Sequence, residues 1–309
     1  MFKRTVVGCK DSGEGRDAVA LGATIALATD AGPSLVCAYP TSIFPVPGSS
    51  DRATFLAQAE ATLRRERDSQ GPQALIDAVP DPFVARALRH YAARWHAGLV
   101  VVGSDASAPA GQAAIGRRSR QLLYDAPFTP QKLPFSLALA RRGFHEQSVE
   151  LRRIGVGYDC GPEAQAALAF AAELGRATGS TLAIHSVIED RVPAFTAEKW
   201  IGSKDLGEMW EGRRQSAQTE AEEAASLLDI PTEVTGAVGD PGLQMRDLSE
   251  RVDLLVVGSR RWGPVARLVS GSVGETLVSE AHCSIMIVPR PPVARGPHTR
   301  SLIAAQTPA

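Results

Sequence analysis

DLLVVGSRRWGPVARLVSGSVGETLV, residues Asp253–Val278, opens as an unbroken apolar run and empties into a glycine-punctuated loop. The run LLVVG has no polar alternation, so it reads as a strand buried on both faces, as in a parallel sheet. A glycine and a serine follow at once, then two arginines. A second Gly-Ser pair stands at Gly271-Ser272, thirteen residues after Gly258. A weaker copy, LVVVGS, occupies Leu99–Ser104, with Gly116 thirteen residues beyond Gly103.

The copy belongs to a longer repeat. TVVGCKD (Thr5–Asp11) matches IGVGYDC (Ile154–Cys160), PSLVCAYP (Pro33–Pro40) resembles STLAIHSV (Ser180–Val187), and VPDP (Val79–Pro82) matches VGDP (Val238–Pro241). The order is the same in both halves and the offset is roughly 150 residues, too long for a solenoid and suited to duplication of a whole domain.

Within each half, β-branched runs alternate with alanine-rich helical stretches. Arg16–Ala31 is a predicted helix stopping at Gly32; Glu163–Thr178 is another, entered through Pro162 and stopped at Gly179. Predicted strands of the first half are Thr5–Cys9, Ser34–Tyr39, Ala74–Val79, Leu99–Gly103 and Phe135–Ala140. Those of the second are Arg153–Tyr158, Thr181–Ile188, Thr232–Ala237, Asp253–Gly258 and Ser284–Val288. Such alternation predicts an α/β protein of two tandem doubly wound five-stranded parallel-sheet domains. They span residues 1–142 and 151–290, with 291–309 a Pro-, Arg- and Ala-rich mobile tail.

Composition sets the outer bounds. The 309 residues are 44% hydrophobic and 22% charged, with a formal net charge of −1, so the chain reads as globular with ample core. Nothing in that balance points to nucleic acid or an acidic membrane as a partner. No apolar run is long enough for a membrane helix, and MFKRTVVGCKDSG reads as a strand start rather than a leader. Cys9, Cys37, Cys160 and Cys283 lie far apart, without zinc spacing, and read as reduced core residues of a cytoplasmic protein. No metal site is expected.

Ligands of open α/β sheets sit outside the carboxyl ends of the strands, where the strand order switches. Two loops of the second half fit, one after its first strand with Asp159 and one after its fourth strand from Gly258. Gly271-Ser272-Val273 reads as a helix start whose amides face an anion. Arg260 and Arg261 offer fork-shaped donors for phosphate oxygens, and Asp159 is a natural acceptor for ribose hydroxyls. His185 reads as a core histidine, and Asp81 and Asp240 as helix caps. Met209 and Trp210 sit on a predicted helix near the second-half loop and read as packing residues, with cover over a base as the alternative for an apolar side chain there. No Ser-His-Asp or Cys-His arrangement is supported, and the phosphate-loop signature GxxxxGK[ST] is missing, so no catalytic residue is expected.

These marks together, VGYD, HSV, VVGSR, GSV and AHCSIMIVP, resemble the universal stress protein family over most of the chain, as two tandem domains. The resemblance implies an adenine nucleotide alpha hydrolase-like fold and domain dimers, with the two domains pairing through their last strands and two chains forming a homodimer. It also implies that one branch binds ATP through Gly-x2-Gly-x9-Gly-Ser/Thr while another lacks the motif and does not. Carried over, it places Gly157, Tyr158 and Asp159 at the sugar and base, and Ser186 or Val187 against adenine through the main chain. It sets Val257, Gly258 and Ser259 beside the nucleotide, and Gly271, Ser272 and Val273 around the phosphates, with Arg260, Arg261 and Gly263 in the connecting loop. The chain departs from the pattern at Arg261, where the middle glycine belongs and for which Gly263, two residues on, supplies flexibility instead, and at Gly274, where a hydroxyl is usual.

The first half departs further. Lys10 stands where the acid belongs, with Asp11 one place later; Ala106 replaces the middle glycine and Arg117 the hydroxyl. The expectation is a stress-responsive regulator that binds ATP, ADP or AMP, with Mg2+ where phosphates require it, in its second domain, beside a degenerate first site. The alternative is a stress protein that binds no nucleotide and acts through protein contacts. An adenylate-forming or flavin-binding relative is a third reading; against the former, neither VGCKDSGEG nor VGYDCGPE supplies the SGGxDS loop it would carry after its first strand.

Overall fold

A computed structural model describes residues 3–40, 51–70, 74–116, 121–122, 135–147, 150–190, 203–259, 277 and 279–289. The N-terminal half runs β1 (Arg4–Gly8), α1 (Gly13–Thr29), β2 (Gly32–Tyr39), α2 (Asp51–Gln70), β3 (Leu75–Pro80), α3 (Val84–Arg94), β4 (Leu99–Gly103) and β5 (Ser136–Ala140). The C-terminal half repeats the order as β6 (Arg153–Gly157), α4 (Pro162–Thr178), β7 (Thr181–Ile188), α5 (Ser203–Ser226), β8 (Thr232–Val238), α6 (Pro241–Ser249), β9 (Leu254–Gly258) and β10 (Ser284–Val288). The tail at 291–309 lies outside the described residues.

All ten strands form one sheet in the order β3-β2-β1-β4-β5-β10-β9-β6-β7-β8. Pairing is parallel within each half. The halves join at an antiparallel pair of last strands, β5 and β10, with Met286 opposite Ala138. That seam reverses strand direction, so the carboxyl ends of the two halves point to opposite ends of the sheet. In each half the order switches between the first and fourth strands, β1/β4 and β6/β9, which is where a doubly wound sheet opens a cleft.

Every residue of β5 and β10 is buried, as expected of strands covered on both faces. One covering layer, with Leu21, Ile25, Leu168 and Leu174, runs continuously across the seam, where α1 packs against α4. Side-chain and main-chain ties reinforce the junction. The Ala113 amide donates to the Ala281 carbonyl at 2.7 Å. The buried Asp17 carboxylate on α1 accepts from the main-chain amides of Gly143 and His145, both at 2.9 Å, and lies 2.6 Å from His145 Nδ1.

The predicted strands agree with the observed ones to within two residues at either end. Local ends differ where capping chemistry was misjudged. Asp30, not Gly32, terminates α1: it adopts the left-handed conformation at φ 50° and its amide bonds to Ala26, leaving Gly32 to begin β2. Gly179 does terminate α4, at φ 70°. Asp240 caps α6, accepting from the amides of Gly242 and Leu243. Asp81 does not cap α3; Phe83 holds that position, while the Asp81 carboxylate accepts from its amide at 2.8 Å and grips Arg86 through two bonds of 2.8 Å.

Candidate functional site

The C-terminal cleft begins where β6 stops. The last pair of that ladder is Gly157 opposite His185, and β7 continues to Ile188. The His185 carbonyl accepts from the Tyr158 amide on the β6 side at 3.0 Å, and the Ile188 carbonyl from the Gly239 amide on the β8 side at 3.0 Å. Main-chain groups alternate sides along a strand, so Val187 turns its N–H and C=O toward the β6 side, past the end of that strand. An adjacent donor and acceptor therefore face the cleft, the pattern needed to read a base edge without side chains.

Val187 lines a cavity of about 460 Å3, with Asp159, Ser186, Met209, Arg213 and Glu220 among its walls. That volume lies within the roughly 300–1,000 Å3 of small-molecule sites. Its far wall is α5, which brings Met209 to the lining of the cleft. Arg213 stacks over Trp210 at 5.2 Å, which fixes a guanidinium at the rim.

Asp159 and Cys160 form the turn into α4. Asp159 is exposed and accepts from the Gly161 amide at 3.2 Å. Cys160 takes a left-handed conformation, φ 61°, which aims its thiol at Glu220, 2.8 Å away. Burial and the Glu220 carboxylate push the thiol pKa up to about 11, so Cys160 is protonated and unreactive near neutral pH. Sequence reading missed this pair; the only signal was a cysteine immediately after the acid. His185 is buried in β7, with Nδ1 2.7 Å from Thr235 Oγ1, and burial lowers its pKa, so it serves the core as a neutral ring.

The remaining candidates separate into four groups. Asp159, Ser186 and Val187 meet at the cavity. Tyr158 is buried among core residues, and Ser259 is buried with its amide donating to the Val288 carbonyl at 2.8 Å. Gly157, Val257 and Gly258 end their strands nearby. Arg260, Arg261, Gly263, Gly271, Ser272 and Val273 lie outside the described residues, as do Gly274 and Arg117. Among the described residues no three His, Cys, Asp or Glu side chains gather to hold a metal ion.

Gly258 has a role the sequence argument did not assign. A Cβ there would lie 2.6 Å from the main-chain carbonyl of Glu163 in the first turn of α4. Its counterpart Gly103 is tighter, with a Cβ placed 2.0 Å from the Glu14 carbonyl oxygen on α1. The backbone that approaches these glycines is the helix of the neighbouring crossover, packed onto the end of the fourth strand.

The N-terminal half has a cleft at the equivalent place, about 1020 Å3, with Lys10, Asp11, Ala38, Arg65, Gly103 and Asp105 among its lining. Arg65 donates to Asp11 at 2.7 Å and to Glu66 at 3.3 Å. Ser104 is buried and donates to the Ala140 carbonyl at 2.6 Å, tying the loop to β5.

Comparison with known proteins agrees with this architecture. The universal stress protein family model matches residues 150–289. A universal stress protein of Synechocystis sp. is 31% identical over 101 residues, covering 29% of this chain and 93% of the relative. One from Thermus aquaticus is 29% identical over 141 residues, covering 44% of this chain and 98% of its own length. Among solved structures, the crystal structure of a universal stress protein from Archaeoglobus fulgidus superposes with a TM-score of 0.60 at 16% identity, over 93% of this chain and 96% of the other. At that identity the structural likeness speaks for the fold alone.

Proposed function

Because the chain belongs to the universal stress protein family, we propose that it binds an adenine nucleotide, ATP foremost, in its C-terminal half and acts as a stress-responsive regulator rather than an enzyme. The observation that carries this is the Val187 main-chain donor and acceptor, which turn past the end of β6 toward a cavity that Asp159 lines. In this reading the base lies along Val187 with Met209 over it, and Asp159 accepts from the ribose. The phosphates extend toward Gly271, Ser272 and Val273, with Arg260 and Arg261 as cations, and any Mg2+ arrives with the phosphates. The loop from Gly258 to Ser272 offers arginines and no GxxxxGK[ST] lysine, which favours sensing over rapid hydrolysis. The setting proposed is the cytoplasm, with the chain as a homodimer.

Calorimetry with ATP on the parent and on Gly271→Asp tests the reading. A binding heat that the variant abolishes supports it; equal heats contradict it. One observation favours the alternative of a contact-only stress protein: Gly258, the first glycine of the motif, is already required by the packing of Glu163. Thermal shift separates the two readings. Stabilisation by ATP, ADP or AMP supports the first, and its absence at millimolar ligand supports the second.

A further inference from the structure

We propose that the N-terminal cleft is a second ligand site with the opposite charge preference: it takes an uncharged or cationic purine nucleoside and rejects nucleotides. The base-reading element survives there. β1 ends with Gly8 opposite Val36, and the Cys9 amide bonds to the Val36 carbonyl at 2.8 Å. On the other side of β2 the Tyr39 carbonyl accepts from the Asp81 amide at 3.0 Å. By the same alternation as in β7, Ala38 turns its N–H and C=O past the end of β1 into the cleft. Apolar side chains flank this edge, with Phe55, Val84, Leu88 and Val102 among the lining residues, as a flat aromatic ligand requires.

The anion end is reversed. Asp105 stands two residues after Gly103, as Arg260 stands two residues after Gly258. Its carboxylate sits against Gly116, with Oδ2 only 2.4 Å from where a Cβ on that glycine would be. Gly116 is the counterpart of Gly271, so a carboxylate occupies the ground where the C-terminal half would seat phosphate. The Ser107 hydroxyl and amide donate to Asp105 Oδ1 at 2.6 and 3.0 Å and hold its pKa below the ordinary carboxylate range. The other charged lining residues are matched: Asp81 grips Arg86, Arg65 is engaged by Asp11 and Glu66, and Lys10 acts on Glu14, whose pKa the Ser12 side chain and then Lys10 lower. The Asp105 carboxylate at the anion end then disfavours phosphate and suits a neutral ribose or a cationic substituent.

The proposal shares with the C-terminal reading only the principle of main-chain base recognition, and the cysteines allow the two sites to be read separately in one full-length protein. Cys37 lines the N-terminal cavity and Cys160 the C-terminal one. Because burial raises both thiols, alkylation of each is run at alkaline pH and followed by peptide mass spectrometry with adenosine, S-adenosylmethionine or ATP as the probe. Adenosine and S-adenosylmethionine are expected to slow alkylation of Cys37 by about tenfold at a concentration roughly ten times Kd, while ATP leaves Cys37 unchanged. Asp105→Asn is expected to let ATP protect Cys37, with protection by adenosine retained as proof of an intact cleft. Unchanged Cys37 alkylation with both nucleosides overturns the proposal, as does ATP protecting Cys37 of the parent as well as adenosine does. Cys37 protection by nucleosides without Cys160 protection by ATP supports this site and counts against the C-terminal reading alone.

Discussion

The two clefts are cut from one duplicated unit, yet they differ in a consistent way. Both keep the strand switch, the overhanging second strand and the glycine under the first helix turn. Those features are held by packing, because a side chain at Gly103 or Gly258 would collide with main chain. The residues at the anion end differ in charge instead. There the N-terminal half carries Asp105 and the C-terminal half Arg260. Duplication preserved the frame that the core enforces and left charge free to diverge.

The strongest challenge to that comparison is to break the frame. Gly103→Val should cost on the order of 3 kcal/mol or more, and Gly258→Val less, following the tighter approach at Gly103. Urea unfolding measures both, and unchanged midpoints would show that packing does not fix the frame. Next is the seam shared by the halves. Met286 is fully buried on β10, so Met286→Ala should cost about 2–5 kcal/mol. A single unfolding transition, shifted as a whole, is expected if the sheet unfolds as one unit; two transitions, only one of them shifted, would divide it.

The caps give smaller contrasts. Asp240→Ala should cost about 1 kcal/mol through the lost cap of α6. Asp81 acts by charge instead. Burial alone would raise its pKa, but the Arg86 guanidinium and the Phe83 amide outweigh burial and lower it. A carboxyl whose folded pKa is depressed stabilises fully at neutral pH and loses that effect as pH falls through the acid range. Asp81→Asn should therefore flatten the acid limb of a Tm-versus-pH curve, and parallel curves for parent and variant would contradict this. The smallest effect is at Cys160. Glu220→Gln removes an acceptor that raises the thiol pKa, so alkylation at mildly alkaline pH should speed up; an unchanged rate would place the cause in burial alone.

Much of the fold was legible because its signals are local and redundant. Runs such as LVVVG and LLVVG are apolar at every position, and the second copy of each confirmed the reading of the first. Helix ends were less legible, because Asp30 and Phe83 hold positions that propensity gives to other residues. At the site, Asp159 was named from the placement of a strand end and Val187 from the family resemblance, and both line the C-terminal cavity. The Cys160–Glu220 contact and the Asp105 carboxylate against Gly116 were not. The first joins residues 60 apart in sequence, and the second depends on how a loop folds back over itself. Neither leaves a periodic trace.

The most direct test of the asymmetry between the clefts is the number of ATP molecules held per chain, counted by native mass spectrometry on the parent and on Gly271→Asp. One ATP on the parent and none on the variant is the expected result. Two on the parent, or one that persists in the variant, would contradict it.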